Sequence, residues 1–149
     1  RKAGEKDAKE SAQEKALRDS IGNGQVGIVN TGKELIVTLP DAITFETGSA
    51  AVRESLLTDL RALAGNLNQF PDTTVDIFGH TDNVGAAGFN QQLSAERAIS
   101  VQNVLANAGV SAERMRAIGR GEDEPKTTNL TEEGRAQNRR VEIVIRPVT

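Results

Sequence analysis

The fold is decided by residues 73–97, TTVDIFGHTDNVGAAGFNQQLSAER. Thr73 to Phe78 is rich in β-branched and aromatic residues and reads as a strand. It delivers the chain to a polar turn that holds the one histidine, His80, and the carboxylate of Asp82. Gly85 and Gly88 free the backbone beyond the turn. A helix is expected from about Asn90 to Ala108, with Ala98, Val101, Leu105 and Ala108 as its buried stripe and Gly109 as its stop. Arg97 falls in one of its early turns. One acid and one guanidinium thus reach the same end of a strand–loop–helix unit. Such a site suits a ligand that carries both an ammonium and a carboxylate.

On the N-terminal side of this unit, Pro71 and Asp72 break an amphipathic helix. Its apolar face is Val52, Leu56, Leu60, Leu63 and Leu67, at spacings of four, four, three and four. Ile43 and Phe45 are expected core anchors, and Thr47-Gly48-Ser49 a polar turn before the helix. Further upstream, Val26–Val29 and Glu34–Leu39 read as strands joined by the hairpin chemistry of Asn30-Thr31-Gly32-Lys33, with Pro40 and Asp41 ending the second. On the C-terminal side, a short helical turn leads to a strand around Met115 to Ile118 and a loop from Gly119 to Pro125. A short helix is expected to start near Asn129 or Thr131, and Arg140 to Arg146 alternates as a closing strand. A hairpin added to a β-α-β-α-β series predicts an α/β (α+β) layer structure with a mixed sheet.

Residues 1–22 are charged and alanine-rich, with a thin stripe of Ala8, Ala12, Ala16 and Leu17. They read as a solvated helical linker or stalk end, ahead of a domain at residues 23–149. Gly22, Gly24 and Gly27 fit G-x-G-x-x-G literally. A dinucleotide fingerprint needs a strand before the glycines and a helix after them. Here the order is reversed, so the stretch reads as a joint or hairpin turn.

The 149 residues are enough for one domain with a short extension. A net charge of −3 gives no electrostatic footprint for nucleic acid. With no Trp, no Tyr and four Phe, aromatic stacking is a poor candidate for the main binding mode. The absence of cysteine removes thiol catalysis and zinc–thiolate sites. No apolar run approaches the length of a membrane span, and no signal peptide is present. The chain begins at Arg1 rather than Met, as a processed or truncated fragment would, and membrane contact is expected only through an anchor upstream of it.

Gly79-His80-Thr81-Asp82, Asn90, Leu93-Ser94, Arg97-Ala98, Gly109-Val110, Gly119, Gly121, Pro125, Asn129 and the run from Gly134 to Glu142 resemble the OmpA-like peptidoglycan-binding domain. That family includes the C-terminal domain of outer-membrane protein A, peptidoglycan-associated lipoprotein and MotB-type stator proteins. The resemblance covers roughly residues 35–147, in order and spacing, and leaves residues 1–34 unexplained. It implies a two-layer βαβαβ sandwich. It also implies non-catalytic binding of the peptidoglycan peptide stem through meso-diaminopimelate, tethering an envelope protein to the cell wall. In that frame Asp82 takes the diaminopimelate ammonium and Arg97 its carboxylate, while Thr81, Asn90 and Arg139 line the same pocket. Some members have Asn where this chain has Gly48, so a side-chain contact there is lost. The implied setting is the periplasm of a Gram-negative bacterium, attached to the outer or inner membrane, with no cofactor and no metal, and with a homodimer left open.

The residues themselves leave other readings. Asp82 and Arg97 could pair with each other or cap local backbone. His80 reads as a hydrogen-bonded turn residue, since one histidine beside one aspartate is too few donors for a metal. A Ser94–His80–Asp82 triad can be written down, but no nucleophile-elbow sequence surrounds Ser94. Of Arg135, Arg139 and Arg140, at least one is expected to face the pocket while the others are structural. A protein–protein or structural envelope domain and a cell-wall hydrolase stand as the competing functions.

Overall fold

The computed structural model describes residues 10–21 and 24–148. Five strands form one mixed sheet: β1 (Gly27–Asn30), β2 (Leu35–Pro40), β3 (Thr73–His80), β4 (Met115–Gly121) and β5 (Arg140–Pro147). Their spatial order is β1-β2-β5-β3-β4. Only the β3–β4 pair is parallel; β1–β2, β2–β5 and β3–β5 are antiparallel. The closing strand β5 is thus central, where its alternation serves both faces. Val141, Ile143 and Ile145 enter the core, and Glu142 and Arg146 lie on the other face.

One face of the sheet is covered by α3 (Glu54–Gln69) and α4 (Ala87–Asn107). The expected leucine stripe is the interior side of α3: Leu56, Leu60, Leu63 and Leu67 are each at most 1% exposed. Truncating one of them to alanine would cost about 2–5 kcal/mol. Together these elements make the expected two-layer α/β sandwich with a mixed sheet.

Two glycines set how closely α4 lies on the sheet. A Cβ on Gly79 would stand 2.0 Å from the Ser94 carbonyl oxygen, and one on Gly119 would stand 2.6 Å from the Ala95 nitrogen. This corrects the expectation of a loop beginning at Gly119. Strand β4 continues to Gly121, with a register shift opposite Gly79/His80. These glycines are there for close helix–strand approach rather than for chain reversal.

A second difference concerns the N-terminal segment. Residues 1–9, including Ala8, and Gly22 lie outside the described residues. Helix α1 (Ala12–Ile21) does not stand free in solvent as a linker would: it packs on α3, and Leu17 and Ile21 are buried in the core. The buried positions are Glu14, Leu17 and Ile21, so an acid occupies a core-facing place. Its carboxylate accepts from Arg18 Nε at 2.8 Å and from Asn30 Nδ2 at 2.7 Å.

Candidate functional site

The site forms at the end of the sheet where β3 leaves the core. Strand β3 ends at His80, and Thr81 and Asp82 follow directly, with the Thr81 amide still tied to the Gly121 carbonyl at 2.8 Å. Asp82 Oδ1 accepts from the Val84 amide at 3.0 Å, an Asx turn that bends the loop. Gly85, with φ of 91°, completes the reversal into α4. Asn90, in the first turn of α4, pins this loop from behind. Its amide donates to Val84 O at 3.0 Å and to Glu122 Oε1 at 3.2 Å.

Opposite this loop stands the segment after β2. Pro40 precedes a four-residue helix, α2 (Asp41–Thr44), which the sequence reading takes only as the end of the strand. Pro40 and Asp41 can be read as a helix start, with an acid in the first turn. The turn after α2 passes through Gly48 at φ of 70°, a left-handed conformation open to glycine and asparagine.

Between the two walls lies a cavity of about 430 Å³, in the range of small-ligand sites. All five residues singled out from the sequence, Thr81, Asp82, Asn90, Arg97 and Arg139, line it. Asp41, Phe45, Thr47 and Gly48 complete the opposite wall. Asp41 is the functional candidate that sequence reasoning missed.

Asp82 and Arg97 do not pair with each other. Asp82 Oδ2 accepts from Arg139 Nη1 at 2.8 Å, and Arg139 reaches on to Glu132 Oε2 at 2.8 Å. Arg97 Nη1 pairs with Asp41 Oδ1. The rest of the Arg97 guanidinium is held by Ser49 O, 2.9 Å from Nε, and lies 4.7 Å from the centroid of the Phe45 ring. In each pair the inner charge is more deeply buried than its partner. Arg97 has 6% of its side chain exposed against 15% for Asp41, and Asp82 has 10% against 30% for Arg139.

Burial dominates the electrostatics of the deeper pair. It raises the Asp41 carboxyl above its ordinary value, although Arg97 and Arg139 both work against the shift. It also lowers Arg97, although Asp41 opposes this. The pair returns less than desolvation takes, as is common for enclosed charges.

Three other expectations resolve in the structure. His80 is not a hydrogen-bonded turn residue. It closes β3, is 3% exposed, and neither ring nitrogen has a hydrogen-bond partner among the described residues. Glu142 Oε1 lies 3.8 Å from its Nε2. Burial, with Arg140 close by, pulls the imidazole down to about 4. The Ser94 hydroxyl donates to Gln91 O and accepts from the Gly121 amide, so it is not hydrogen-bonded to His80. Of the three arginines, Arg139 faces the cavity. Arg135 binds Asn129 O, while Arg140 binds Asn138 O and Glu142.

Comparison with known proteins agrees with this architecture. The OmpA family model matches residues 44–139. The chain is 38% identical over 136 residues to the probable lipoprotein YiaD of Escherichia coli K12, covering 91% of this chain and 62% of that protein. It is 45% identical over 86 residues to the peptidoglycan-binding protein ArfA of Mycobacterium tuberculosis H37Rv, covering 58% of this chain and 26% of that one. The chain therefore spans less than two thirds of these curated relatives. Among solved structures, the cell wall anchor of the T6SS from Pseudomonas aeruginosa superposes with a TM-score of 0.81 at 31% identity, over 93% of this chain and 99% of that one. The family model spans well over half of the chain, across both walls of the cavity, and on that match the protein belongs to the OmpA family.

Proposed function

We propose that this domain binds peptidoglycan without cleaving it, holding the meso-diaminopimelate of the peptide stem, and so tethers an envelope protein to the wall. The observation that carries the reading is the charge pattern of the cavity. Asp82 and Arg97 line one cavity, each oriented by its own partner rather than neutralised by the other. The free end of diaminopimelate is an ammonium and a carboxylate on one carbon. The carboxylate of Asp82 complements the first, and the guanidinium of Arg97 the second. Thr81, Asn90 and Arg139 shape the site. The hydroxyl of Thr81 and the amide of Asn90 are engaged within the loop, so they act by fixing Asp82. A relative whose name is peptidoglycan-binding and a neighbour that is a cell wall anchor support the same reading. The setting that goes with it is a Gram-negative envelope.

The test is co-sedimentation with purified, protein-free sacculi, with the supernatant analysed for released muropeptides. Binding that weakens as salt rises, with no soluble product, is the expected result. Release of muropeptides would establish a hydrolase instead.

A further inference from the structure

The pairing inside the cavity raises a question the binding reading does not answer. An incoming carboxylate does not meet a free Arg97. It meets Arg97 with Asp41 already on Nη1. Asp41 lies nearer the solvent than Arg97, at the head of the short helix α2, and its backbone amide is fixed to the Arg139 carbonyl at 3.0 Å. The Arg97 plane is held independently of Asp41, by Ser49 O and the Phe45 ring, so the guanidinium keeps its place if Asp41 changes partner.

From this juxtaposition we infer that Asp41 is a specificity-determining residue, which admits a carboxylate to Arg97 only when the ligand also carries an ammonium. A bare carboxylate brought to Arg97 stands beside the Asp41 carboxylate, and two like charges then share one guanidinium in a buried place. A zwitterion brings its own cation. Its ammonium lies between Asp82 and Asp41 while its carboxylate takes the arginine fork, so every charge keeps an opposite neighbour. Simple diacids and the free carboxyl ends of ordinary peptides are rejected by repulsion, a means of discrimination separate from attraction to the wanted ligand. The inference rests on the reading of Arg97 as the carboxylate receptor.

The experiment compares meso-diaminopimelate with pimelate, the same carbon chain without its two amines, by titration calorimetry on the wild-type chain and on Asp41→Asn. Asparagine keeps the shape and an acceptor for Arg97 but removes the charge. The wild type is expected to bind meso-diaminopimelate and to discriminate strongly against pimelate. Asp41→Asn is expected to lose about tenfold of that discrimination, chiefly by binding pimelate better, a change at the low end of coupling for close charge pairs. A ratio unchanged in the variant, or an equal loss for both ligands, overturns the inference and leaves the wild-type binding result standing. Failure of the wild type to bind meso-diaminopimelate overturns the proposed function as well. A second measurement needs no substitution. In wild-type protein the ¹³C carboxyl resonance of Asp41 is expected to move on saturation with meso-diaminopimelate, and a resonance that stays in place overturns the inference.

Discussion

Two clusters in this molecule are built from the same parts. The cavity holds Asp41, Asp82, Arg97 and Arg139. The outer face of the sheet holds a row of Arg116, Asp76, Arg146 and Glu34, with Asp76 accepting from Arg116 Nε at 2.8 Å and from Arg146 Nη1 at 2.6 Å. Each has two acids paired with two arginines; Arg53, which also lines the cavity, is held by Glu46 instead. Their surroundings shift one acid of each, Asp76 and Asp41, in opposite directions. Arg116 has 71% of its side chain exposed, and its hydrogen bond lowers the Asp76 carboxyl below the ordinary range. At the Asp41–Arg97 pair burial wins, and Asp41 is raised; Arg139, in spite of burial, is raised by its bonds to Glu132 and Asp82. The outer row is a brace between strands in which Asp76 is buried, with 7% of its side chain exposed, while the two arginines reach solvent. At the Asp41–Arg97 pair of the cavity charge is costly, and on the proposed function a matching ligand would relieve that cost. The counts of paired charges do not separate the two; the exposure of the arginines does, 71% and 44% in the outer row against 6% and 30% in the cavity.

The largest expected effect falls on the cavity. Arg97→Ala and Asp82→Asn should each cost about 2–5 kcal/mol of wall binding, because each leaves a ligand charge buried without its partner. The double variant should be little worse than either single one, since both residues hold one small group. Sedimentation with sacculi measures the loss, and thermal unfolding checks that the variants remain folded. Undiminished binding by folded variants would make the cavity no different from the outer row.

Next comes His80, which lies on the outer face but directly precedes Thr81 and Asp82. With its folded value near 4 against an ordinary 6.5, the unfolded chain takes up the proton first as pH falls. Stability is therefore complete above about 6.5 and declines toward 4, by on the order of 2–3 kcal/mol. Denaturant unfolding across that window should show this slope in the wild type and lack it in His80→Gln, since the chain has one histidine. A slope retained in the variant would assign the titration to another group.

A comparable change in stability is expected where α4 meets the sheet. Gly79→Ala and Gly119→Ala should each destabilise by about 1–3 kcal/mol or more, through overpacking against Ser94 and Ala95. Gly24→Ala is the contrast: it is strained at φ of 91°, but nothing lies within 4 Å of its Cβ. A cost at Gly79 and Gly119 no larger than a few tenths of a kcal/mol would show that α4 yields there and that close packing does not set the cost.

The smallest effect belongs to the outer row. Arg116→Ala should leave wall binding unchanged and move the unfolding midpoint little, because Arg116 is mostly in solvent and Arg146 still holds the buried Asp76 at 2.6 Å. Its one clear trace should be in acid. Asp76 is lowered, so its contribution is present above the unfolded value near 3.8 and lost as pH falls through the lower folded one. That loss should shrink in Arg116→Ala, as followed by acid unfolding.

Much of this was legible in the sequence, because periodicity records burial directly. The leucine face of α3 and the alternation of β5 both project from one side of the chain. The strand–loop–helix order brought Asp82 and Arg97 to the same end of one unit, and both line the cavity. What escaped were residues whose role depends on a distant partner. Asp41 after Pro40 resembles a strand stop until Arg97, 56 positions away, reaches it. Helix α1 hid its inner face because Glu14 stands where an apolar residue would mark it, satisfied by Arg18 and Asn30. Gly119 looked like a loop because no local pattern reports the backbone of a helix above it.

The central claim is that the charged cavity, and not another surface, receives the wall peptide. A second cavity of about 500 Å³ lies at the opposite end of the sheet, lined in part by Lys33, Glu34, Phe70 and Thr73. Titration of ¹⁵N-labelled protein with meso-diaminopimelate separates the two directly. The expected result is a set of amide shifts confined to the surroundings of the charged cavity, at Phe45, Gly48, Thr81, Asp82 and Val84, saturating with one site. Shifts centred on Lys33, Phe70 and Thr73, or no saturable shift at all, would contradict it.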